Sequence, residues 1–288
     1  MRIIIVIPHF FGPSSMAQEK NKITGSGGND PDERVDIISN AILSFKNLFG
    51  FQQGLHDFVN NKIIPVNHHE QASIATVICT SGKYHLVDKL KGKNVEFSHI
   101  ETDDKPTNLG FACHQILKDN VNNFDYFCYI EDDMIIHDPY FFWKLEWFNK
   151  NVGNDYILQP LQYEISKKAI VKKLYIGATI PEHWTKKHRK FDGLNNISLH
   201  YLNREIIFCP AKNPHSGAFF LNNEQFQKWI SMPYFLDGDS SFIGPMESAA
   251  TLGIMKCFIP YKPCSEFANF FEIQHGDSRY INNLKLVE

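Results

Sequence analysis

The sequence predicts an α/β fold with a mixed, mainly parallel sheet of the Rossmann-like type and helices on both of its faces. Three observations lead to this prediction. The chain opens on a continuous β-branched run, residues 2–8, which is typical of a strand covered on both faces. Apolar runs of strand length then alternate with segments of helical periodicity. Some of these runs end in polar residues, and open parallel sheets bind ligands at the carboxyl ends of their strands.

The first half of the chain gives the clearest order of elements. Asp30 as N-cap and Pro31 at the first helical position predict the start of a helix that ends at Gly50. Asn108 is placed to cap a second helix, and Pro139 to begin a third. Strands are predicted at residues 2–8, 73–82, 94–104 and 125–130. The order β-α-β-β-α-β favours parallel pairing.

The second half of the chain is less regular. Residues 166–204 are basic and aromatic, and they predict no definite architecture. Around them the sequence predicts a helix capped by Asn222 and another helix from Met246. Strands are predicted at residues 155–160, 205–210, 216–221 and 255–260. We expect a single domain over residues 1–288.

Composition and charge exclude several classes of protein. The 288 residues are 43% hydrophobic, which is enough for a sizeable core. A net charge of −3 and a pI near 6.5 argue against a protein that binds nucleic acid through a broad basic surface. No apolar run is long enough to cross a bilayer, so we expect at most a peripheral contact with a membrane. The spacings of a P-loop and of an H-E-x-x-H zinc site do not occur.

The cysteines predict a reducing environment. They form no C-x-x-C pair, and most lie in apolar runs, where free thiols pack as small hydrophobic side chains. The N-terminal apolar run is a strand rather than a signal peptide, because Pro8 interrupts it and no small-residue cleavage site follows. We therefore expect a cytoplasmic protein with free thiols at six positions: Cys79, Cys113, Cys128, Cys209, Cys257 and Cys264.

Three consecutive acids, Glu131, Asp132 and Asp133, follow the strand predicted at residues 125–130. Adjacent like charges are costly unless a cation, amide groups or water relieve their repulsion. Mg²⁺ and Mn²⁺ prefer oxygen ligands and often take only one or two carboxylates, with water and phosphate oxygens completing the shell. A solvated turn that caps the next helix is the alternative. The position at the end of a strand favours a metal site.

The sequence "YIEDD" after an apolar strand resembles the D-x-D-type motif of nucleotide-sugar-dependent glycosyltransferases of the GT-A fold, as an E-x-D variant. The resemblance covers the order of elements over residues 2–149 and, more loosely, the closing segments. It implies that Asp133 is the principal ligand of Mn²⁺ or Mg²⁺, that Glu131 contacts the ribose or the ion through water, and that Asp132 is a further nucleotide contact. It also implies a nucleotide-binding half, residues 1–150, and an acceptor-binding half, residues 151–288.

Two further segments extend the resemblance. "RIIIVIPHF" is similar to the opening strand of the family, which implies that Pro8, His9 and Phe10 lie beside the base and the ribose. "FIGPMESAATLGI" is similar to the acidic motif at a helix start, which implies that Glu247 removes the proton from the attacking hydroxyl group. Ordinary capping of the helix also accounts for an acid there. The rival bases lie in the preceding loop and are Asp237 and Asp239.

The segment "QHGDSRY" is similar to the C-terminal region from which family members bring a histidine to the metal. This implies that His275 completes the metal shell, and a neutral imidazole suits Mn²⁺ better than Mg²⁺. Arg279 would offset charge on the departing diphosphate. Asp103, at the end of the strand predicted at residues 94–104, is expected near the nucleotide base, although an exposed turn explains it equally well.

Together the resemblance implies a metal-dependent glycosyltransferase that moves a sugar from a nucleotide-diphosphate donor, with a UDP-sugar favoured, to a hydroxyl group of a glycan or another acceptor. An inverting reaction is weakly favoured. Two alternatives stay open. A sugar-1-phosphate nucleotidyltransferase has a related fold, but it usually opens with a glycine-rich loop where this chain has only Gly12. A non-catalytic glycan-binding protein would keep the scaffold with a degenerate motif, which Glu131 in place of Asp allows.

Overall fold

The computed structural model describes residues 1–12, 30–69, 71–177, 179–189 and 193–283. The strands in these ranges are β1 (Arg2–His9), β2 (Gly54–Asp57), β3 (Lys62–Pro65), β4 (Ser73–Ser81), β5 (Ser98–Thr102), β6 (Tyr126–Ile130), β7 (Met134–Ile135), β8 (Tyr156–Leu158), β9 (Leu161–Ile165), β10 (Lys173–Ile176), β11 (Ile197–Tyr201), β12 (Arg204–Pro210), β13 (Ala218–Asn222), β14 (Ile259–Pro263) and β15 (Glu272–His275). The helices are α1 (Pro31–Phe49), α2 (Val87–Lys91), α3 (Leu109–Asp119), α4 (Phe141–Val152), α5 (Glu182–Lys186), α6 (Asn223–Ile230), α7 (Pro245–Cys257) and α8 (Arg279–Asn282).

A five-stranded sheet in the order β13-β6-β1-β4-β5 forms the centre of the fold. β1 pairs in parallel with β4 and β6, and β4 pairs in parallel with β5. Only β13, among these five strands, runs antiparallel to its neighbour. The predicted mixed, mainly parallel sheet is confirmed. Because β1 and β6 are parallel neighbours, His9 at the end of β1 lies beside the acids that follow β6.

Helices cover both faces of this sheet, as predicted. Alternate side chains of a strand point to opposite faces, and β1 divides its side chains accordingly. Ile3, Ile5 and Ile7 lie in the apolar core that includes α1, whereas Ile4 and Val6 lie in the core that includes α3 and α7. All five are at most 1% exposed. The continuous β-branched run at the N-terminus is therefore explained by burial on both sides.

The helix starts read from capping residues are mostly confirmed. The side chain of Asp30 accepts a hydrogen bond from the backbone N of Asp32, and Pro31 begins α1. Asn222 and Gln225 form a capping box at the start of α6. Asn108 precedes α3 as predicted, but its side chain makes no capping hydrogen bond, because it ends the short 3₁₀ turn Pro106–Asn108.

The prediction of a strand at residues 255–260 is wrong for residues 255–257. Residues 255–257 form the last turn of α7, and the strand there is β14. The guanidinium group of Arg189 donates to the carbonyl oxygens of Met255 and Lys256, at 2.6 and 3.2 Å. These bonds satisfy carbonyl groups that the end of a helix leaves without partners, so α7 extends further than the sequence indicates.

Two four-stranded sheets attach the second half of the chain to the central sheet, in the orders β10-β9-β15-β7 and β11-β12-β14-β8. β15 pairs antiparallel with β7, which places His275 opposite Met134, the residue directly after the acids. The C-terminal segment is thus brought to the end of β6. A separate two-stranded ribbon, β2 with β3, was not predicted from the sequence.

Cys209 and Cys264 form a disulfide, so the prediction of six free thiols is wrong for these two residues. The antiparallel pairing of β12 with β14 brings their Cα atoms to 5.2 Å, which is within the usual range for this bond. Disulfides persist mainly in oxidising compartments, and the bond counts against the cytoplasmic location, which stays a prediction. Within the described ranges, no helix has the length and apolar character needed to cross a membrane.

Cys264→Ser is expected to lower the free energy of unfolding by about 2–4 kcal/mol, because a crosslink over a long loop restricts the unfolded chain. The sequence separation is 55 residues. Urea unfolding with and without reductant measures the effect, and reduced wild type should match the variant. Cys257→Ser, at a half-buried free thiol, is the control. Wild-type stability that does not change with reductant would contradict the prediction.

Candidate functional site

The acids predicted from the sequence lie at the carboxyl end of β6, beside the end of β1. Asp132 and Asp133 are buried, with 6% and 5% of their surface exposed, and Glu131 is half-buried. The backbone N of Glu131 donates to the carbonyl oxygen of Gly217 at 2.8 Å, and the N of Met134 donates to that of Glu131 at 3.1 Å. These bonds fix the turn, so the acids are not on a solvated loop.

Asp132 is held by two basic side chains. Nδ1 of His9 lies 2.6 Å from one carboxylate oxygen, and the guanidinium group of Arg34 donates to the other. The backbone N of Leu86 donates to Nε2 of His9 at 3.0 Å, so Nδ1 carries the proton and donates to Asp132. His9 is fully buried. The role of His9 and Asp132 as nucleotide contacts stays a prediction. What the structure shows is that their side chains are hydrogen-bonded to each other.

Arg34, in the first turn of α1, is a site residue that the sequence analysis missed. Its Nη1 donates to Asp133 at 3.1 Å, while Nη2 donates to Asp132. Burial lowers the pKa of Arg34, but the two carboxylates raise it by more, so the pKa lies above its ordinary value. A signal existed: Arg34 lies four residues before Ile38, on the buried stripe of α1.

His275 is the second basic residue beside Asp133. Its Nε2 lies 3.6 Å from Asp133 Oδ2, and its Nδ1 lies 2.9 Å from Oε1 of Glu164. Burial lowers the pKa of His275, but Asp133, Glu164 and the carbonyl of Asp277 raise it to about 9. Burial raises the pKa of Asp133, but His275 and Arg34 outweigh this and lower it to about 2. Asp133 is therefore a carboxylate between two cations.

The predicted metal ligands fit an incomplete shell. Asp133 Oδ1 is buried and has no hydrogen-bond partner among the described residues. Nδ1 of His275 is held by the carboxylate of Glu164, the arrangement that usually orients a metal-binding histidine. The described ranges contain no group of three or more His, Cys, Asp or Glu that would hold a metal alone. A metal here needs water or phosphate oxygens as well, and it must displace a proton from His275.

Glu131 and Glu247 lie close enough to affect each other. Burial and the carboxylates of Asp133 and Glu247 raise the pKa of Glu131 to about 8, so this group is protonated at neutral pH. Glu247 is in the first turn of α7 and half-buried. Its rival Asp239 accepts a hydrogen bond from Lys256 at 2.8 Å and is thus tied to the surface of α7.

The other predicted site residues differ in how near they lie to the acids. Arg279 is ion-paired with Asp277 at 3.1 Å, and its charge helps to lower the pKa of Asp133, so it lies near the acids. Phe10 follows His9, and its ring lies 5.9 Å from that of Tyr84. Pro8 is buried in β1. Asp103 is exposed after β5, which is three strands from β6, or about 14 Å at the usual strand spacing.

Gly217 brings the chain against the acids. It has φ +60°, and a Cβ atom there would lie 2.6 Å from Met134 Cε and 3.1 Å from Glu131 Oε2. Two surface clefts, of about 700 and 500 Å³, lie at the β2–β3 ribbon and beside residues 165–168, and the acids line neither of them. The candidate site is therefore identified by the charges and hydrogen bonds of its side chains and not by a cleft.

Gly217→Ala is expected to destabilise the protein by more than the roughly 1–2 kcal/mol that a left-handed backbone costs an L-residue, because its methyl group also meets Met134 and Glu131. Chemical denaturation measures the difference. Gly82→Ala is the control, because Gly82 has φ +52° and open space around its Cβ position. Equal losses in the two variants would show that the contact with the acids is unimportant.

No protein-family model matches the chain, and no curated protein matches its sequence. Among solved structures, a crystal structure of S. aureus TarS 1–349 in complex with UDP-GlcNAc is similar, with a TM-score of 0.42 and 10% sequence identity. The match covers 99% of this chain and 62% of that chain. A likeness of this degree leaves the function to be argued from the site.

Proposed function

We propose that the protein is a glycosyltransferase that moves a sugar from a nucleotide-diphosphate donor, a UDP-sugar, to an acceptor hydroxyl group. One observation carries the proposal: a buried acid pair, Asp132 with Asp133, held at the carboxyl end of β6 by Arg34, His9 and His275. Open α/β sheets bind nucleotides at this edge. Carboxylates hold a polyphosphate only through a cation that they bind, and the open Oδ1 of Asp133 is available for one.

The donor half of the site comprises residues 1–150, and His275 and Arg279 of the other half reach it. Arg279, near Asp133, offsets the charge that grows on the departing diphosphate. Asp133 and His275 are the residues that would hold Mn²⁺ or Mg²⁺, which supplies the same stabilisation when bound. Arg34 keeps Asp133 ionised and in place, and Glu164 orients His275. Glu131 is a neutral carboxyl group at pH 7, suited to a hydrogen bond with a ribose hydroxyl.

The acceptor half comprises residues 151–288, with Glu247 as the base. The acceptor oxygen attacks the anomeric carbon, the bond from that carbon to the diphosphate oxygen breaks, and the hydroxyl proton passes to the Glu247 carboxylate. The nucleoside diphosphate leaves with the bonding electron pair. This is an inverting reaction. Within the described ranges, Glu131 lies near the carboxylate of Glu247, but no hydrogen bond or ion pair holds that carboxylate away from an acceptor.

Product analysis tests the proposal. The protein is incubated with Mn²⁺ and UDP-sugars in the presence of glycan acceptors, and in parallel with UTP and sugar 1-phosphates. Release of UDP from a UDP-sugar, lost in Asp133→Asn, is the expected result. Release of pyrophosphate from UTP would identify a sugar-1-phosphate nucleotidyltransferase. Glycan binding with no release of either product would identify a non-catalytic binding protein. Both of the latter results contradict the proposal.

A further inference from the structure

A polar cluster of buried Lys262 and Gln159 with half-buried His215 adjoins the candidate site and has no part in the proposed chemical step. Lys262 in β14 is 6% exposed and Gln159, after β8, is 1% exposed. The parallel pair β14–β8 sets Tyr261 opposite Leu158, so Lys262 and Gln159 are one position further along each chain. Residues in register on parallel strands project from the same face, and the two side chains are therefore neighbours.

The ammonium group of Lys262 lacks a counter-charge. Its Nζ donates to the carbonyl oxygen of His215 at 2.7 Å, and no carboxylate of the described ranges lies within ion-pair distance of it. An ammonium group has three protons to donate. Burial lowers the pKa of Lys262 to about 7, as expected for a desolvated cation with no anion beside it. Lys262 is thus an unpaired donor in a dry environment.

Gln159 is the second unsatisfied group of the cluster. Both its Nε2 and its Oε1 are buried with no hydrogen-bond partner among the described residues. Buried side-chain amides are nearly always hydrogen-bonded, so an amide left open on both atoms requires an explanation. The structural explanation, a bound water, would satisfy the amide but would leave Lys262 without a counter-charge. An anion gives Lys262 its counter-charge and accepts a hydrogen bond from Nε2 of Gln159, while Oε1 of Gln159, an acceptor, needs a donor such as a remaining proton of the ammonium group.

His215 connects the cluster to the candidate site. It is half-buried, and its Nδ1 lies 3.1 Å from Oγ1 of Thr251, one turn after Glu247 in α7. Burial, with the charges of Lys262 and His275, lowers the pKa of His215 to about 3, so the ring is neutral. The carbonyl of His215 holds Lys262, and Gly217, two residues later, meets Glu131.

We propose that Lys262, with the Gln159 amide and His215, binds one anionic group, a carboxylate or a phosphate, of a substrate. The anion supplies the missing counter-charge and accepts hydrogen bonds from the ammonium and amide protons. Because His215 contacts the helix of Glu247, this group belongs to the acceptor, which is therefore a negatively charged molecule. The assignment to the acceptor rests on the proposed function, whereas the binding of an anion does not.

Titration calorimetry and thermal unfolding with inorganic phosphate, acetate and UDP test the proposal. Wild type and Lys150→Met, which removes an exposed lysine of α4, are expected to bind one phosphate or acetate and to unfold at higher temperature with it. Lys262→Met should lose about 10- to 100-fold in that affinity, as for the loss of a charge-assisted hydrogen bond. Gln159→Leu should also weaken binding.

Anion binding that is equal in wild type and Lys262→Met, or absent from wild type, overturns the proposal. Methionine keeps the length of lysine and removes the cost of burying a charge, so the variant is expected to fold, and Gln159→Leu gives an independent reading. If UDP does not displace phosphate, the anion is part of the acceptor. If UDP does displace it, the assignment to the acceptor is wrong, but the anion site itself remains. Absence of sugar transfer with intact anion binding would refute the proposed function and leave the anion site standing.

Discussion

Arg34→Met is expected to lower the free energy of unfolding by about 3–5 kcal/mol, the usual cost of removing one partner from a buried ion pair. The guanidinium group contacts both Asp132 and Asp133, and all three side chains are at most 8% exposed. Without it, two adjacent carboxylates remain buried, with His275 as the cation nearest to Asp133 and only a hydrogen bond from the neutral ring of His9 to Asp132. Equilibrium denaturation at neutral pH gives the value directly.

Arg2→Met is the matched control for this change. Arg2 pairs with Asp125 at 3.2 Å, but the two side chains are 55% and 46% exposed. Exposed pairs contribute about 0–1 kcal/mol, so the control should be near wild type. Similar losses in the two variants would show that the buried acids do not depend on Arg34, and the description of the site as an ion-paired cluster would be wrong.

Glu247→Gln is expected to reduce the rate of sugar transfer by about 10²- to 10⁴-fold, the usual contribution of a general base, while the affinity for the donor stays unchanged. Glutamine keeps the shape of the side chain but does not accept a proton. Steady-state rates of UDP release with saturating acceptor measure the effect. The free energy of unfolding should change little, because Glu247 is half-buried at a helix start.

Glu224→Gln provides the comparison for this variant. Glu224 is an exposed acid in the first turn of α6, so its loss removes the same interaction with a helix N-terminus without touching the site. It should keep wild-type activity. A Glu247→Gln variant as active as Glu224→Gln would exclude Glu247 as the base and would favour a retaining reaction, which needs no such residue.

Local sequence patterns predicted the central fold, because each of these patterns lies in contiguous residues. Each element can be predicted from a few neighbouring residues. Examples are the β-branched run of β1, the Asp30-Pro31 start of α1 and the apolar strand before Glu131. The mainly parallel pairing also followed, since alternating strands and helices favour it. By contrast, the extent of α7 depends on Arg189, which lies 66 residues before Met255 in the sequence. Such long-range contacts leave no local signal.

In the candidate site, too, local motifs were predicted from the sequence and long-range contacts were not. The acids and His275 were found from short motifs, but the partners that set their charge were not. Arg34 is separated from Asp133 by 99 residues, and Glu164 from His275 by 111. The Cys209–Cys264 disulfide is likewise created by the pairing of β12 with β14. The position of the acids favoured a metal site as the relief of their repulsion, whereas the fold also supplies internal cations, Arg34 and His275.

Binding of UDP to wild type and Asp133→Asn, measured by calorimetry with and without Mn²⁺, tests the central claim most directly. The account predicts that UDP binds to wild type, that Mn²⁺ strengthens this binding, and that Asp133→Asn, shown to be folded by circular dichroism, loses the strengthening. UDP affinity that is the same in both proteins, or no binding of UDP to wild type under any condition, would contradict the assignment of the acids at the end of β6 as a nucleotide-sugar site.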